Sequence, residues 1–318
     1  MTYNEICKIL NFNKKENSLF LPNEIFEDYK KYIANKTHIP VAYSYSYIVT
    51  WLYRYAKYFN TEEIIDNKKI KEILGYSPNN QSLDYLFKKN GLLDHIGYFE
   101  SVRDYPVSWH YSETVDEELS FFMSSEIDEE LKDKFPIVPK RFFLKRPVKA
   151  FDRFELAFGE DGSEEEYEMP GTFSYVGNTH LIEFEIFLFC MTTKNIGCVG
   201  FYLYSFISQK NDHYKEGYDA SIERLERESG IPSRTIIKYL RILRSYKMID
   251  VTHNQEFFVI NMPKGDRKAN TYTTRDHAFF SDDTVPYKRM GVISEEKYAE
   301  LLKERVEISD SVDQQMPF

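Results

Sequence analysis

The sequence predicts a predominantly helical α+β fold, and three observations carry that prediction. Between Asp219 and Arg275 the chain spells a short helix, a tight turn, a second helix and a β-hairpin. A degenerate version of the same succession is legible in the N-terminal half. At 318 residues, with 42% hydrophobic and 16% aromatic residues, the chain is a folded protein able to bury two cores of ordinary domain size. Together these read as two winged helix-turn-helix domains in tandem, produced by internal duplication.

In the first half an amphipathic helix, NEIFEDYKKYI, leads through THIP to a Tyr-rich helix from Ala42 to Phe59. A short helix (NKKIKEILG), the turn Tyr76-Ser77-Pro78, a second helix (NQSLDYLFKKNGLL) and a hairpin (GYFESVRDYPVSWHY) follow. In the second half LIEFEIFLFCM, read as a buried helix, leads through KNIG to FYLYSFISQK and then to the helix-turn-helix. Three landmarks repeat at a near-constant offset: Gly75 and Gly230 lie 155 apart, Tyr85 and Tyr239 lie 154 apart, and Asp94 and Asp250 lie 156 apart. Between the halves, Phe151 to Ser163 reads as a strand running into a loop, and GSEEEYEMPGT as a solvated acidic loop. At the C-terminus Ser294 caps a helix, EEKYAELLKERV, with acids in its first turn and cations near its end. The polar tail beyond Glu307 reads as disordered.

The C-terminal helix-turn-helix carries the clearest chemistry. SIERLERESG begins at Ser221, Gly230-Ile231-Pro232 makes the turn, and Ser233 opens the second helix. Ile236, Leu240 and Leu243 form one apolar stripe, so Arg234, Ile237, Lys238 and Arg241 lie on the opposite face. That face suits a major groove. Arg234 and Arg241 are the candidates for bidentate contacts to guanine, and Lys238 can serve bases or phosphate. Arg244 and Lys247 sit further along, near the DNA backbone, and the hairpin tip KGDRK offers Lys264, Arg267 and Lys268 to a neighbouring phosphate strand. The bland reading is a solvated basic helix.

The N-terminal copy is a weaker reader. Its second helix shows Asn80, Gln81, Asp84, Tyr85, Lys88 and Lys89; Asn80 and Gln81 suit adenine edges, and Arg103 is the matching wing cation. A carboxylate at Asp84 opposes phosphate, so this copy binds either DNA or another protomer. Lys140, Arg141, Lys145 and Arg146 lie in the basic stretch Pro136 to Lys149, which either tracks a phosphate backbone or pairs with the acidic runs on either side. The aromatics Tyr43, Tyr45, Tyr47, Tyr53 and Phe59 recur at helical spacing, which favours core packing over a stacking platform for single strands.

Several classes of chemistry are missing. The net charge of −10 is unusual for a nucleic-acid binder, but the acid is concentrated in Glu113 to Asp133 and Asp152 to Glu168. Because salt confines each surface charge to about 8–10 Å, local potential outweighs the sum. No GxxxxGK[ST] phosphate loop occurs, and the seven histidines form neither a His-x-His nor an HExxH pair. The carboxylates Glu164 to Glu166 fall in the acidic loop, a poor place to fix a metal. A binding protein without enzymatic activity, metal or cofactor is therefore expected. Three cysteines, Cys7, Cys190 and Cys198, in no ligand pattern, and no signal-peptide order at the N-terminus, suit a reducing cytoplasm. The most apolar stretches carry charges or are short, so no membrane span is expected.

The stretch SIERLERESGIPSRTIIKYLRILRSYKMID resembles the winged-helix N-terminal domain of phage replisome organisers and primosomal initiators of low-GC Gram-positive bacteria. The duplicated layout resembles plasmid replication initiators built from two winged helices. That resemblance implies binding to repeated sites at an origin as a monomer and repression of the chain's own promoter as a dimer. The expected organisation is an N-terminal winged-helix domain (1–135), a basic and acidic linker with a strand (136–178), a C-terminal winged-helix domain (179–293) and a C-terminal helix with a flexible tail (294–318). The expected function is sequence-specific binding of double-stranded DNA, at origin or operator repeats, by a plasmid or phage replication initiator. The alternatives are a winged-helix transcriptional regulator and a protein-binding adaptor such as a helicase-loading factor. The partners to consider beside DNA are a second copy of the chain and host replication proteins.

Overall fold

A computed structural model describes residues 1–58, 64–111, 119–128, 142–149, 152–158, 164–170 and 178–313. The chain opens with α1 (Tyr3–Leu10), for which Thr2 is the cap: its hydroxyl accepts from Glu5 N–H at 3.3 Å and its own N–H is bound by the Glu5 carboxylate at 2.7 Å. Then come β1 (Ser18–Pro22), α2 (Ile25–Tyr32) and α3 (Ile39–Arg54), the last entered through Pro40, where a missing N–H costs nothing. α4 (Asn67–Ile73) is capped by the Asp66 carboxylate, which accepts from Lys68 and Lys69 N–H at 2.9 Å each. Two short helices, α5 (Asp84–Phe87) and α6 (Leu92–His95), precede β2 (Phe99–Val102), β3 (Pro106–Tyr111), β4 (Leu119–Met123) and β5 (Leu144–Pro147).

Strands β6 (Asp152–Phe158) and β7 (Glu164–Pro170) pair with each other. The second half runs β8 (Thr179–Glu183), α7 (Phe184–Thr192), α8 (Gly197–His213), β9 (Tyr218–Ala220), α9 (Ile222–Ser229) and α10 (Ser233–Ser245). It closes with β10 (Ile249–Thr252), β11 (Phe257–Val259), β12 (Asn270–Thr274), β13 (Gly291–Ile293) and α11 (Glu295–Asp313). The protein is therefore α+β, as its patterning predicts.

The two halves meet through a strand pair and a helix pair. β1 pairs antiparallel with β8, from Ser18 opposite Glu183 to Pro22 opposite Thr179, and α3 packs on α8. The buried side chains of both halves form one cluster. α3 is buried along nearly its whole length, and Tyr43, Tyr45, Tyr47 and Trp51 have no exposed surface, so these aromatics are core. Their polar atoms are satisfied inside, as burial demands: Tyr45 donates to Asn67 Oδ1 at 2.7 Å, Tyr47 to Ile182 O at 2.8 Å and Trp51 Nε1 to Glu16 O at 2.8 Å. Phe59 lies outside the described residues.

Six expectations are corrected. LIEFEIFLFCM is not one helix: His180 and Ile182 are buried while Leu181 is exposed, a period of two that β1 takes up as a ladder before α7 begins at Phe184. The Tyr-rich helix starts earlier, at Ile39, and ends at Arg54, two residues before the left-handed Ala56 (φ 53°). The acidic run GSEEEYEMPGT is not a loop throughout, because Glu164–Pro170 forms a seven-residue ladder with Asp152–Phe158. The helix expected over NQSLDYLFKKNGLL is broken into a short 3-10 turn, α5 and α6. At Gly91 a Cβ would stand 2.7 Å from Leu86 O and 2.8 Å from Lys88 O, and Asn90 is left-handed (φ 54°). The carbonyls freed at the break accept from Asn67 Nδ2 (to Phe87 O, 3.2 Å) and Lys145 Nζ (to Lys88 O, 3.1 Å).

The hairpin expected over GYFESVRDYPVSWHY does not close on itself. β2 pairs with β5, and β3 pairs with β4. The Asp104 carboxylate accepts from Ser125 N–H at 3.0 Å and from the Ser124 and Ser125 hydroxyls at 2.5 and 2.8 Å, which pins the corner before β3 to the end of β4. Finally, the chain beyond Glu307 continues as helix to Asp313, in keeping with a stretch that contains neither Gly nor Pro before Pro317.

Candidate nucleic-acid interface

The turn between α9 and α10 is fixed by local chemistry. The Ser221 hydroxyl accepts from Arg224 N–H at 3.1 Å to start α9, and Gly230 ends it in the left-handed region (φ 73°). Only glycine suits that position, because a Cβ there would also meet Lys30 Cγ at 2.9 Å and Ile39 Cδ1 at 3.2 Å. Ile231 is buried, Pro232 carries the chain into α10, and the Ser233 hydroxyl donates to the Glu226 carboxylate, tying the two helices together.

Along α10, Ile236, Leu240 and Leu243 are buried, while Arg234, Ile237, Lys238 and Arg241 are exposed. At about 100° per residue, Arg234, Lys238 and Arg241 fall within about 60° of one another, on the side away from the buried stripe. Their Cα atoms span about 10 Å of helix axis, at about 1.5 Å per residue. Among the described residues no salt bridge engages any of the three. Lys238 Nζ lies 5.3 Å from its neighbour's Tyr239 ring centroid. Arg244 differs: its guanidinium lies 4.2 Å from the Tyr287 ring centroid and donates to Lys288 O at 3.3 Å. Burial lowers its pKa from the ordinary arginine value.

Following α10, β10 pairs with β12 and β12 with β9 in a three-stranded antiparallel sheet. Arg275 closes it with two bonds to Asp250, at 2.6 and 2.8 Å. The excursion between β10 and β12 holds β11, which pairs in parallel with β13, and the cations of KGDRK. Lys264 opens a short 3-10 turn. Arg267 donates Nε to Met262 O at 2.9 Å and lies 5.6 Å from the Phe258 ring centroid, so it helps fold the excursion, while the Lys268 side chain is exposed.

The first half shares some of these features: helices, a left-handed glycine and a later antiparallel strand pair, β2 with β5. Gly75, like Gly230, is left-handed (φ 81°) after a buried helix. Gly97 and Lys247 are both left-handed before a strand, with Tyr98 N–H bound to Leu93 O and Met248 N–H to Leu243 O, at 3.1 and 2.9 Å. Aligned on these two turns, Gly97 and Lys247 stand at an offset of 150, at which Asp94 falls opposite Arg244. Five extra residues accompany the break between α5 and α6. β2 and β5 pair antiparallel, as β10 and β12 do, with Glu100 and Arg146 paired at 2.8 Å across them.

The predicted N-terminal readers are divided among different tasks. The Asn80 side chain accepts from Ser82 N–H at 3.0 Å, capping the turn, and its carbonyl accepts from Lys71 Nζ at 2.7 Å. Lys71, itself buried, also meets Asp84 Oδ1 at 2.5 Å and so offsets the charge that opposed DNA contact. Gln81 and Lys88 are exposed. Lys89 Nζ and the Arg103 guanidinium both lie over the Phe143 ring, 4.1 and 5.1 Å from its centroid. In the basic stretch, Lys145 is buried against Asp94 and donates to Ser101 Oγ at 2.9 Å, and Lys149 meets Asp28 at 2.7 Å. These cations serve the fold. Lys140 and Arg141 lie outside the described residues.

No group of His, Cys, Asp and Glu suited to a metal occurs among the described residues, and none of their helices is long and apolar enough to cross a membrane. The segment from Ser281 to Met290, which packs against the end of α10, was not singled out by sequence pattern; its one signal is the cation pair Lys288-Arg289 beside Tyr287. The chain matches no protein-family model, no curated protein and no solved structure.

Proposed function

We propose that this chain is a sequence-specific double-stranded DNA-binding protein of a bacterial plasmid or phage, acting as a replication initiator built from two winged helix-turn-helix units in tandem. The observation that carries the reading is the stripe of Arg234, Lys238 and Arg241 on α10, exposed opposite the buried Ile236, Leu240 and Leu243. A rigid helix presenting Arg at two positions about two turns apart matches the reach of a major groove and the bidentate edge of guanine. Lys268 on the excursion between β10 and β12 supplies a phosphate contact to one side.

The tandem reading is supported by the shared order of helices, left-handed glycine, strand and returning strand, and by the antiparallel meeting of β1 with β8. In the first half the broken second helix offers a shorter face, which favours an auxiliary or protein-facing role for that unit. No chemical step is assigned to the protein; it acts by docking, with no cofactor. A transcriptional regulator would use the same contacts.

Selection of bound duplexes from a random pool tests the binding reading: a defined motif supports it, and recovery without any consensus contradicts it. Placing the gene's own upstream repeats on a plasmid that lacks an origin, with the protein supplied, separates initiator from regulator. Replication of that plasmid supports the initiator, and repression of a reporter without replication favours the regulator.

A further inference from the structure

After β12 the chain does not leave the sheet freely but runs back along the last turn of α10 before joining β11 as β13. Ring contacts and hydrogen bonds hold it there. The Phe280 ring sits 5.2 Å from Phe189 and 5.7 Å from Tyr204, Ser281 N–H donates to Tyr246 O at 2.9 Å, and Val285 N–H donates to Ser245 O at 2.7 Å. Arg244 stacks on Tyr287 and binds Lys288 O, which fixes the backbone at 288 one turn beyond Arg241. The Ser245 and Tyr246 carbonyls belong to the helix end, where they need partners from elsewhere.

Resting on the DNA-binding reading above, we propose that residues 285–289 are a further DNA-contacting element, a cationic strap whose Lys288 and Arg289 hold the phosphate strand beside the C-terminal end of α10. A helix C-terminus carries a partial negative charge of about half a unit, which repels phosphate. Here Ser281 and Val285 N–H cover the Tyr246 and Ser245 carbonyls, and the strap then runs on past Arg244, where Lys288 and Arg289 are exposed; Lys247 is exposed at the helix end. Among the described residues no salt bridge engages Lys288 or Arg289. The acids of the segment come before the cations: Asp276 caps Ala278 at 2.9 Å, and the exposed Asp282 and Asp283 lie between Ser281 and Val285, at the covered carbonyls. The cations thus lie at the end next to Arg244, and the acids nearer the strap's entry.

The test measures affinity of the full chain for a mixed-sequence duplex as salt rises from about 50 to about 200 mM, since phosphate contacts need no particular sequence. Lys288→Ala with Arg289→Ala should reduce the slope of log K against log salt by about 0.9 per lost contact, so by about two for the pair. Tyr287→Ala keeps both cations but removes the Arg244 stack, and should lower the slope by a smaller amount with the melting temperature showing a folded chain. Lys31→Ala, on α2, is the charge control and should leave the slope unchanged. A wild-type chain that binds no duplex sinks both this inference and the reading it rests on. A wild type that binds, with an unchanged slope in the Lys288/Arg289 double variant, overturns the strap alone.

Discussion

The Tyr43 hydroxyl lies 2.8 Å from His180 Nε2, inside the core, and joins α3 of the first half to β8 of the second. His180 Nδ1 is 3.0 Å from Asn23 Oδ1, so both ring nitrogens are engaged within the protein. Burial pushes the His180 pKa down to about 3 from its ordinary 6.5. The unfolded chain takes up its proton near 6.5, whereas the fold resists protonation until about 3, so stability is complete above 6.5 and is lost progressively as pH falls toward 3. Between pH 6.5 and 5 this one group should cost about 2 kcal/mol. Urea unfolding at several pH values checks it: wild type should lose that increment relative to His180→Gln, and parallel pH dependences would refute the assignment.

The buried pair of Lys145 and Asp94 holds the break between α5 and α6 to β5. Burial lowers the Lys145 pKa, and Asp94 opposes that shift by favouring the charged ammonium. Lys145→Met leaves an uncompensated carboxylate and should cost about 3–5 kcal/mol. Adding Asp94→Asn should return part of that loss. Denaturant unfolding of the single and double variants measures both terms; a Lys145→Met chain as stable as wild type would show the pair to be dispensable.

These two relationships lie beyond what the sequence shows, since each joins residues more than fifty positions apart. The α10 stripe, the Gly230 turn and the Ser233 start follow from local patterning, since each depends on residues within a few positions of one another. β1, the strand at the head of LIEFEIFLFCM and the pairing of β2 with β5 depend on partners more than forty residues away. Lys145 looked like a linker cation because a Pro-bounded basic run carries no sign of which carboxylate it will meet. Asn80 looked like a base reader, whereas its carboxamide is occupied capping the turn at Ser82. The strap is hidden for a like reason: Ser281 and Val285 reach α10 through backbone hydrogen bonds, which any sequence can make, and Phe280 and Tyr287 meet rings and a guanidinium more than forty positions away.

The two units should differ in their contribution to DNA binding. Gln81→Ala with Lys88→Ala is expected to change affinity for a selected duplex by less than about 1 kcal/mol, whereas Arg234→Ala should cost about 1–3 kcal/mol and relax preference at its base. Lys268→Ala should weaken all duplexes alike and lower the salt slope by about one. Equilibrium titrations of each variant against selected and scrambled duplexes decide the matter. Loss of binding confined to the Gln81/Lys88 variant would move the reading head to the first half.

Pure protein should neither nick supercoiled DNA nor release phosphate from ATP in the presence of Mg²⁺ or Mn²⁺. The expectation follows from the lack of a phosphate loop and of paired histidines in the sequence. Stoichiometric nicking that survives repurification would overturn it.

The most direct test of the central claim compares wild type with the Arg234→Ala/Lys238→Ala/Arg241→Ala variant on a selected duplex and on a scrambled one. Wild type should prefer the selected duplex, by at least about 4 kcal/mol at moderate salt, the lower end of ordinary specificity. The triple variant, melting like wild type, should bind both duplexes equally, through the remaining phosphate contacts. A triple variant that keeps the wild-type preference, or a wild type without any, would contradict the account.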